Sequence, residues 1–127
     1  MDTNLLLWIG QILLALAFLG VGYGHTLRFE QMSTRPGMTW LGAVGRDRMR
    51  VIGILEILGA IGLILPAAIG VLPWLTPVAA TALTVLMVLA IWLHARRPDE
   101  GRNIILNVIL GAIAALVAYG RFVIDPF

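Results

Sequence analysis

The sequence has no cysteine, no lysine and only one serine, Ser33. Without cysteine there can be no disulfide, no thiolate metal site and no cysteine nucleophile. The lone serine lies outside any GxSxG turn, and no GxxxxGK phosphate loop occurs, so hydrolase and kinase chemistry are not expected. Charge is scarce as well: 13% of the residues are charged, about half the usual share for a soluble domain. The nine basic residues are all arginine and are set against seven acidic ones, which leaves a net charge of +2. That balance offers no basic stripe, and nucleic acid is not an expected partner.

What fills the chain instead is apolar: 60% of its 127 residues. A soluble domain of this length could not hide so much apolar surface. The composition points to an integral membrane protein whose environment is the lipid bilayer, organised as one domain over residues 1–127. No internal repeat or low-complexity tract interrupts it.

Three windows are long enough to hold spans, given that a membrane helix needs about 20 mostly apolar residues. Thr3 to Gly24 and Asn103 to Gly120 carry no charged side chain, and from Ile57 to Ala95 the only titratable group is His94. The middle window is too long for one span and is broken by Pro66, Gly70, Pro73 and Pro77. Proline ends helices and is favoured in their first turn, so Leu65 is expected to end one helix and Pro73–Trp74 to begin the next. The reading is an all-α, four-helix membrane bundle with helices at about residues 4–24, 47–65, 73–94 and 103–119. The second is short unless it recruits Arg48 and Arg50, whose long side chains can reach back to headgroups.

Eight of the nine arginines fall in loops 1–2 and 3–4, on one side of a four-span topology; only Arg121 falls on the other. By the positive-inside rule both termini face out of the cytoplasm, as in a multi-pass protein of the inner (plasma) membrane. Trp8 and Trp74 fall near the outer face and Trp40 and Trp92 near the inner, the pattern of two interfacial belts. Ala15–Leu16–Ala17 resembles a signal-peptidase motif, but the chain opens Met1–Asp2 rather than with basic residues, so a retained first helix is expected. The long loop Leu27–Arg46 either lies in the interface through Met38, Trp40, Leu41 and Val44 or forms a hairpin over the mouth of the bundle.

In lipid, helices associate through small residues and interhelical hydrogen bonds. Each expected span carries one such stripe: Gln11, Ala15, Gly22 and His25; then Gly53, Glu56, Gly59 and Ala60; then Ala80, Thr84, Met87 and His94; then Asn103, Asn107, Gly111, Ala115 and Arg121. Most of these residues serve packing, and Gly111/Ala115 or Gly59/Gly62 could also hold a second copy or a partner subunit. Arg121 reads as an interfacial anchor.

Glu56 stands apart. It lies six residues, about 9 Å along a helix axis, beyond Arg50. A charge there costs up to about 2.5–3.5 kcal/mol on insertion scales, so it is either protonated or paired. Depth arithmetic brings His25, Glu56, His94 and Asn107 to one level, one from each helix, with Arg50, Tyr23 and Trp92 at the rim. Two functions fit such a cluster: a buried polar network that fixes helix register, or a small-ligand or proton site. Two histidines and one carboxylate without HxxxH or ExxH spacing do not suggest a metal site, and they are badly placed for bis-histidine haem.

Arg50–Pro66 reads RVIGILEILGAIGLILP, helix 1 ends LGVGYGHTL, helix 3 ends MVLAIWLHARR and helix 4 ends VAYGRF. In these runs the chain resembles the DoxX-like family of small four-helix membrane proteins, with G-x-L-E-x-x-G-A the most specific match. Glu56, His94 and Arg121 fall on positions of the family pattern. His25 stands on or beside a family lysine, which weakens any mechanism needing a permanent cation beside Glu56, because histidine loses its charge near neutral pH. The resemblance implies a plasma-membrane bundle but no single activity. Some relatives are subunits of quinone-linked oxidoreductases, including thiosulfate:quinone oxidoreductase, and others are accessory or chaperone-like proteins. The expectation is a membrane subunit or binding protein for an apolar ligand, with quinone as the candidate cofactor and no catalytic activity of its own. The alternatives are an accessory protein acting through helix contacts, as a homodimer or with a partner, and a proton-coupled exporter. Small multidrug exporters carry their membrane carboxylate in helix 1, whereas this one is in helix 2.

Overall fold

The computed structural model describes residues 2–97 and 101–127; Met1 and residues 98–100, in the expected third loop, lie outside the described residues. The elements are α1 (Thr3–Leu27), α2 (Phe29–Ser33), α3 (Trp40–Val44), α4 (Arg46–Ile69), α5 (Leu75–Ala95) and α6 (Gly101–Tyr119), which runs on into a π-helical turn at Gly120–Ile124. There is no strand among the described residues. Four helices, α1, α4, α5 and α6 with its π-turn, are long and apolar enough to cross a membrane. Their outward faces are leucine, isoleucine and valine; the buried faces carry Leu14, Phe18, Ala60, Leu63, Leu83 and Met87. α1 packs most extensively on α4 and α5 on α6; α4 against α5 joins the two pairs, and the α1–α6 seam is the thinnest.

Local chemistry sets the helix ends. Asp2 caps α1, its carboxylate accepting from the Asn4 amide at 3.1 Å. Gly45 (φ 99°) and Gly70 (φ 70°) take the positive φ needed before and after α4, where a side chain would be strained.

The helix expected to stop at Leu65 instead continues through Pro66 to Ile69. Proline removes the N–H that would bond the carbonyl four residues back and crowds that carbonyl with its ring. That carbonyl belongs to Gly62, and the buried Thr76 hydroxyl on α5 donates to it at 3.3 Å. The next carbonyl, Leu63, accepts from Gln11 Nε2 on α1 at 2.8 Å. Two neighbouring helices thus supply donors behind the proline, which is how a membrane helix tolerates it. At the other end, α4 does recruit its arginine-rich start.

Arg121 is not an interfacial anchor. It is 2% exposed, inside the bundle at the end opposite the long loop. The π-turn, closed by the Asp125 amide donating to the Gly120 carbonyl at 2.7 Å, widens the helix there. Arg121 Nε donates to Gln11 Oε1 at 2.8 Å, one terminal nitrogen donates to the Asp125 carbonyl at 3.1 Å, and the other lies 3.4 Å from the Asn4 carbonyl. The guanidinium carbon stands 4.0 Å from the Phe127 ring centroid and 5.8 Å from that of Trp8. Carbonyl dipoles and ring faces surround the charge, and the Asp125 carboxylate is near enough to act on it.

The small-residue stripes are used within the chain. A Cβ on Gly59 would strike Leu83, one on Gly62 would meet Ala79, and one on Gly111 would press on Met87. Gly59, Gly62 and Gly111 are therefore intramolecular contacts of α4–α5 and α5–α6, not open faces for a second copy. On α6 the inward residue is Ala114 and Ala115 is exposed, so the stripe shifts by one position past Gly111.

Candidate functional site

The site begins with two glycines. Gly22 on α1 and Gly53 on α4 let the backbones approach until a Cβ on either would lie 2.8 Å from the other's carbonyl oxygen. Each glycine also faces the root of the polar residue on the opposite helix: the ideal Cβ of Gly22 is 3.2 Å from Glu56 Cβ, and that of Gly53 is 3.1 Å from His25 Cβ. With no side chains in the way, His25 and Glu56 meet diagonally across the helix pair, Nδ1 to Oε1 at 3.0 Å. Both are buried, Glu56 at 2% exposure. Glu56 Oε2 has no hydrogen-bond partner among the described residues.

His94 on α5 and Asn107 on α6 complete the polar end of a cavity of about 650 Å³. That is the size of a site for a drug-sized molecule. His25, Glu56, His94 and Asn107 all line it, one from each long helix, and the walls between them are leucine, isoleucine, methionine and phenylalanine. Val21 on α1, Leu55 on α4, Leu89 on α5 and Leu106 and Ile109 on α6 line the cavity and are also exposed on the outside of the bundle. The cavity therefore reaches the lateral surface of the bundle, where a bilayer places its acyl chains.

The connection between α1 and α4 closes the end of this space. Leu41 is fully buried, and Asn103 Nδ2 at the start of α6 donates to the Gly37 carbonyl at 3.0 Å. Arg46 pairs with Glu30 on the surface and lies over the Phe29 ring. Met32, Met38, Trp40 and Val44 line the cavity from above. The Trp40 ring stands nearly perpendicular to both histidines, its centroid 5.6 Å from His25 and 4.7 Å from His94. Of the two readings of this loop, the structure takes the cover over the bundle mouth. Trp40 is accordingly a wall of the cavity. Its Nε1 is buried without an acceptor among the described residues.

The expected rim does not form. Tyr23, Arg50 and Trp92 are exposed and do not line the cavity. Helical rotation explains this: at 3.6 residues per turn, Tyr23 and Trp92, each two residues from a site histidine, point about 160° away from it, and Arg50, six before Glu56, about 120° away. The residue on the Glu56 face is Met49, seven positions earlier, which is buried and lines the cavity. Trp92 instead stacks under Arg96, whose guanidinium carbon is 4.3 Å from its ring centroid. Among the described residues no three His, Asp or Glu side chains stand close enough to hold a metal ion. Met49 is detectable by its heptad spacing from Glu56; Trp40 has no periodic signal, because it lies outside the long helices.

No curated protein and no solved structure matches the chain. The model of the DoxX-like family matches residues 9–117, which takes in α4, α5, most of α1 and α6, the covering loop and all four polar cavity residues. With four apolar helices of spanning length and a family match over most of its residues, this multi-pass membrane protein belongs to the DoxX-like family.

Proposed function

We propose that this protein is a membrane subunit or binding protein that holds an apolar ligand in the cavity beneath Trp40, with the ligand's polar head among His25, Glu56, His94 and Asn107. The observation that carries this reading is a buried carboxylate oxygen, Glu56 Oε2, left without a partner among the described residues in a residue that lines an otherwise apolar cavity. A polar atom buried without a partner costs about 1–3 kcal/mol, and a ligand head is one way to recover it. The lateral opening fits a ligand that arrives through the membrane.

A quinone suits this description: a flat apolar body for the leucine walls and oxygens for the polar end. Such a group would supply two-electron redox chemistry in a partner oxidoreductase. Glu56 would accept or pass on a proton, and His25 or His94 would hydrogen-bond the head. The protein sits in this proposal in the inner membrane, with the loop end of the bundle in the cytoplasm and both termini outside, as the arginine distribution favours. Titrating a short-chain quinone into the purified protein should quench tryptophan fluorescence, Trp40 being the nearest reporter, and raise the unfolding temperature. No change in either would refute the reading.

The accessory reading is narrowed by the packing of Gly59, Gly62 and Gly111 inside the chain. A homodimer or a partner subunit would have to use the outer leucine and valine faces instead.

A further inference from the structure

Resting on the cavity reading above, we infer that the site takes apolar ligands of unlike shape, straight-chain and fused-ring alike, and that Met32, Met38, Met49 and Met87 are the residues that make it tolerant. The sequence has five methionines, and all four among the described residues line this one cavity. They reach it from three directions. Met32 on α2 and Met38 in the turn before α3 belong to the cover, Met49 to α4 and Met87 to α5. The Met32 sulfur occupies the space that a Cβ on Gly24 would need, one residue from His25. Methionine is unbranched, turns about three side-chain bonds and ends in a polarizable thioether, so it refills an irregular space around whatever enters. The packed core beside the cavity is built of stiffer side chains, among them Leu14, Phe18, Leu63, Leu83 and Val117, and Met87 is its only methionine.

The remaining walls yield as well. Leu55, Leu89 and Leu106 line the cavity and are exposed on the outside of the bundle. The wall there is one side chain thick, with no second layer of protein to hold its rotamers. A close-packed wall selects by shape, because a body that does not match it forces side chains off their rotamers. This cavity gives way at the cover, on two helices and toward the lipid. Selection then falls to size, within about 650 Å³, and to the head group that meets His25, Glu56, His94 and Asn107. The outline of the apolar body counts for little.

The test uses two probes with the same head and unlike bodies. The full-length protein in lipid nanodiscs is titrated with myristyl alcohol and with pyrenemethanol, both primary alcohols. The apparent Kd is read from the rise in unfolding temperature with concentration and expressed per probe dissolved in the lipid, so that partitioning cancels. In the unaltered protein the two values should lie less than about tenfold apart, the factor that 1.4 kcal/mol represents. Combining Met32→Leu, Met38→Leu, Met49→Leu and Met87→Leu conserves volume, the kind of change cores tolerate best, but removes the adaptable side chains. The gap should then widen beyond about tenfold. If the combined variant does not fold, Met32→Leu with Met38→Leu and Met49→Leu with Met87→Leu are made as two separate pairs, and each should widen the gap. In the unaltered protein labelled at the methionine methyls, the two probes should move the NMR signals to different positions, because the side chains rearrange differently around each body. A preference above tenfold in the unaltered protein, or identical methyl shifts with both probes, overturns the inference and leaves the cavity reading standing. A gap that the leucine variants do not widen overturns the role given to the methionines. Binding of neither probe overturns the cavity reading as well.

Discussion

The most discriminating perturbation lies away from the cavity, at Gln11. This side chain is fully buried and joins three elements: its Nε2 donates to the Leu63 carbonyl of α4, and its Oε1 accepts from Arg121 on the π-turn, both at 2.8 Å. Gln11→Leu keeps most of the volume and removes both bonds. In a water-soluble reference frame, a bond to a charged donor is worth about 1.5–3 kcal/mol and an orphaned carbonyl costs about 1–3 kcal/mol. Interhelical hydrogen bonds in membranes measure lower, averaging about 0.6 and reaching about 1.7 kcal/mol, because the unfolded helices also find partners in lipid. The Leu63 carbonyl additionally keeps its place in the α4 ladder. The single substitution should therefore cost about 2–3 kcal/mol, of which about 1–1.5 kcal/mol is the Gln11–Arg121 coupling. The measurement is a double-mutant cycle of Gln11→Leu with Arg121→Met, read as unfolding free energies in mixed detergent micelles. The cycle isolates the pair because methionine removes the guanidinium but fills the site. An interfacial arginine would show no coupling to Gln11. A coupling energy within about 0.3 kcal/mol of zero, the range in which independent sites add, would refute the buried clasp.

Three further outcomes follow from the same geometry. Gly53→Ala places a methyl 2.8 Å from the Gly22 carbonyl and against Thr26, so α1 and α4 must separate; overpacking costs about 1–3 kcal/mol against a helix-propensity gain of about 1 kcal/mol, and the His25–Glu56 contact should break. An unchanged His25 ring-nitrogen NMR shift in that variant would count against it. Thr76→Val should destabilise by about 1 kcal/mol by leaving the Gly62 carbonyl bare, and the cost should disappear in a Pro66→Ala background, where the helix supplies its own N–H; an equal cost in both backgrounds would sink the account of how α4 passes through Pro66. Because the chain has no native cysteine, Met87→Cys on the cavity wall gives a single labelling site, and its maleimide reaction should quicken severalfold when Trp40→Ala removes the cover, whereas an unchanged rate would show that Trp40 does not close the space.

Much of the bundle is legible in the sequence because its signals are one-dimensional. Charge-free windows locate spans, and depth along an axis is simple arithmetic, which suffices to bring His25, Glu56, His94 and Asn107 to one level. The features that escape a linear reading depend on contacts across helices. Pro66 looks like a terminator until Thr76 and Gln11 are seen donating to the carbonyls behind it. Arg121 looks like an anchor until the π-turn and Gln11 carry it inward. Tyr23, Arg50 and Trp92 share the depth of the site but not its angle, an error of rotation and not of position. Trp40 sits in a short helix of a connecting loop, where periodicity has nothing to report.

The two polar clusters have a mechanical corollary. α1 and α4 are fastened at both ends, by His25 on Glu56 with the Gly22–Gly53 approach at one and by Gln11 on Leu63 at the other. Arg121 then ties α6 to α1 at the far end. The molecule is thus two helix pairs, α1 with α4 and α5 with α6, joined at one end by a buried arginine, so a residue far from the cavity bears on how firmly the pairs are held around it.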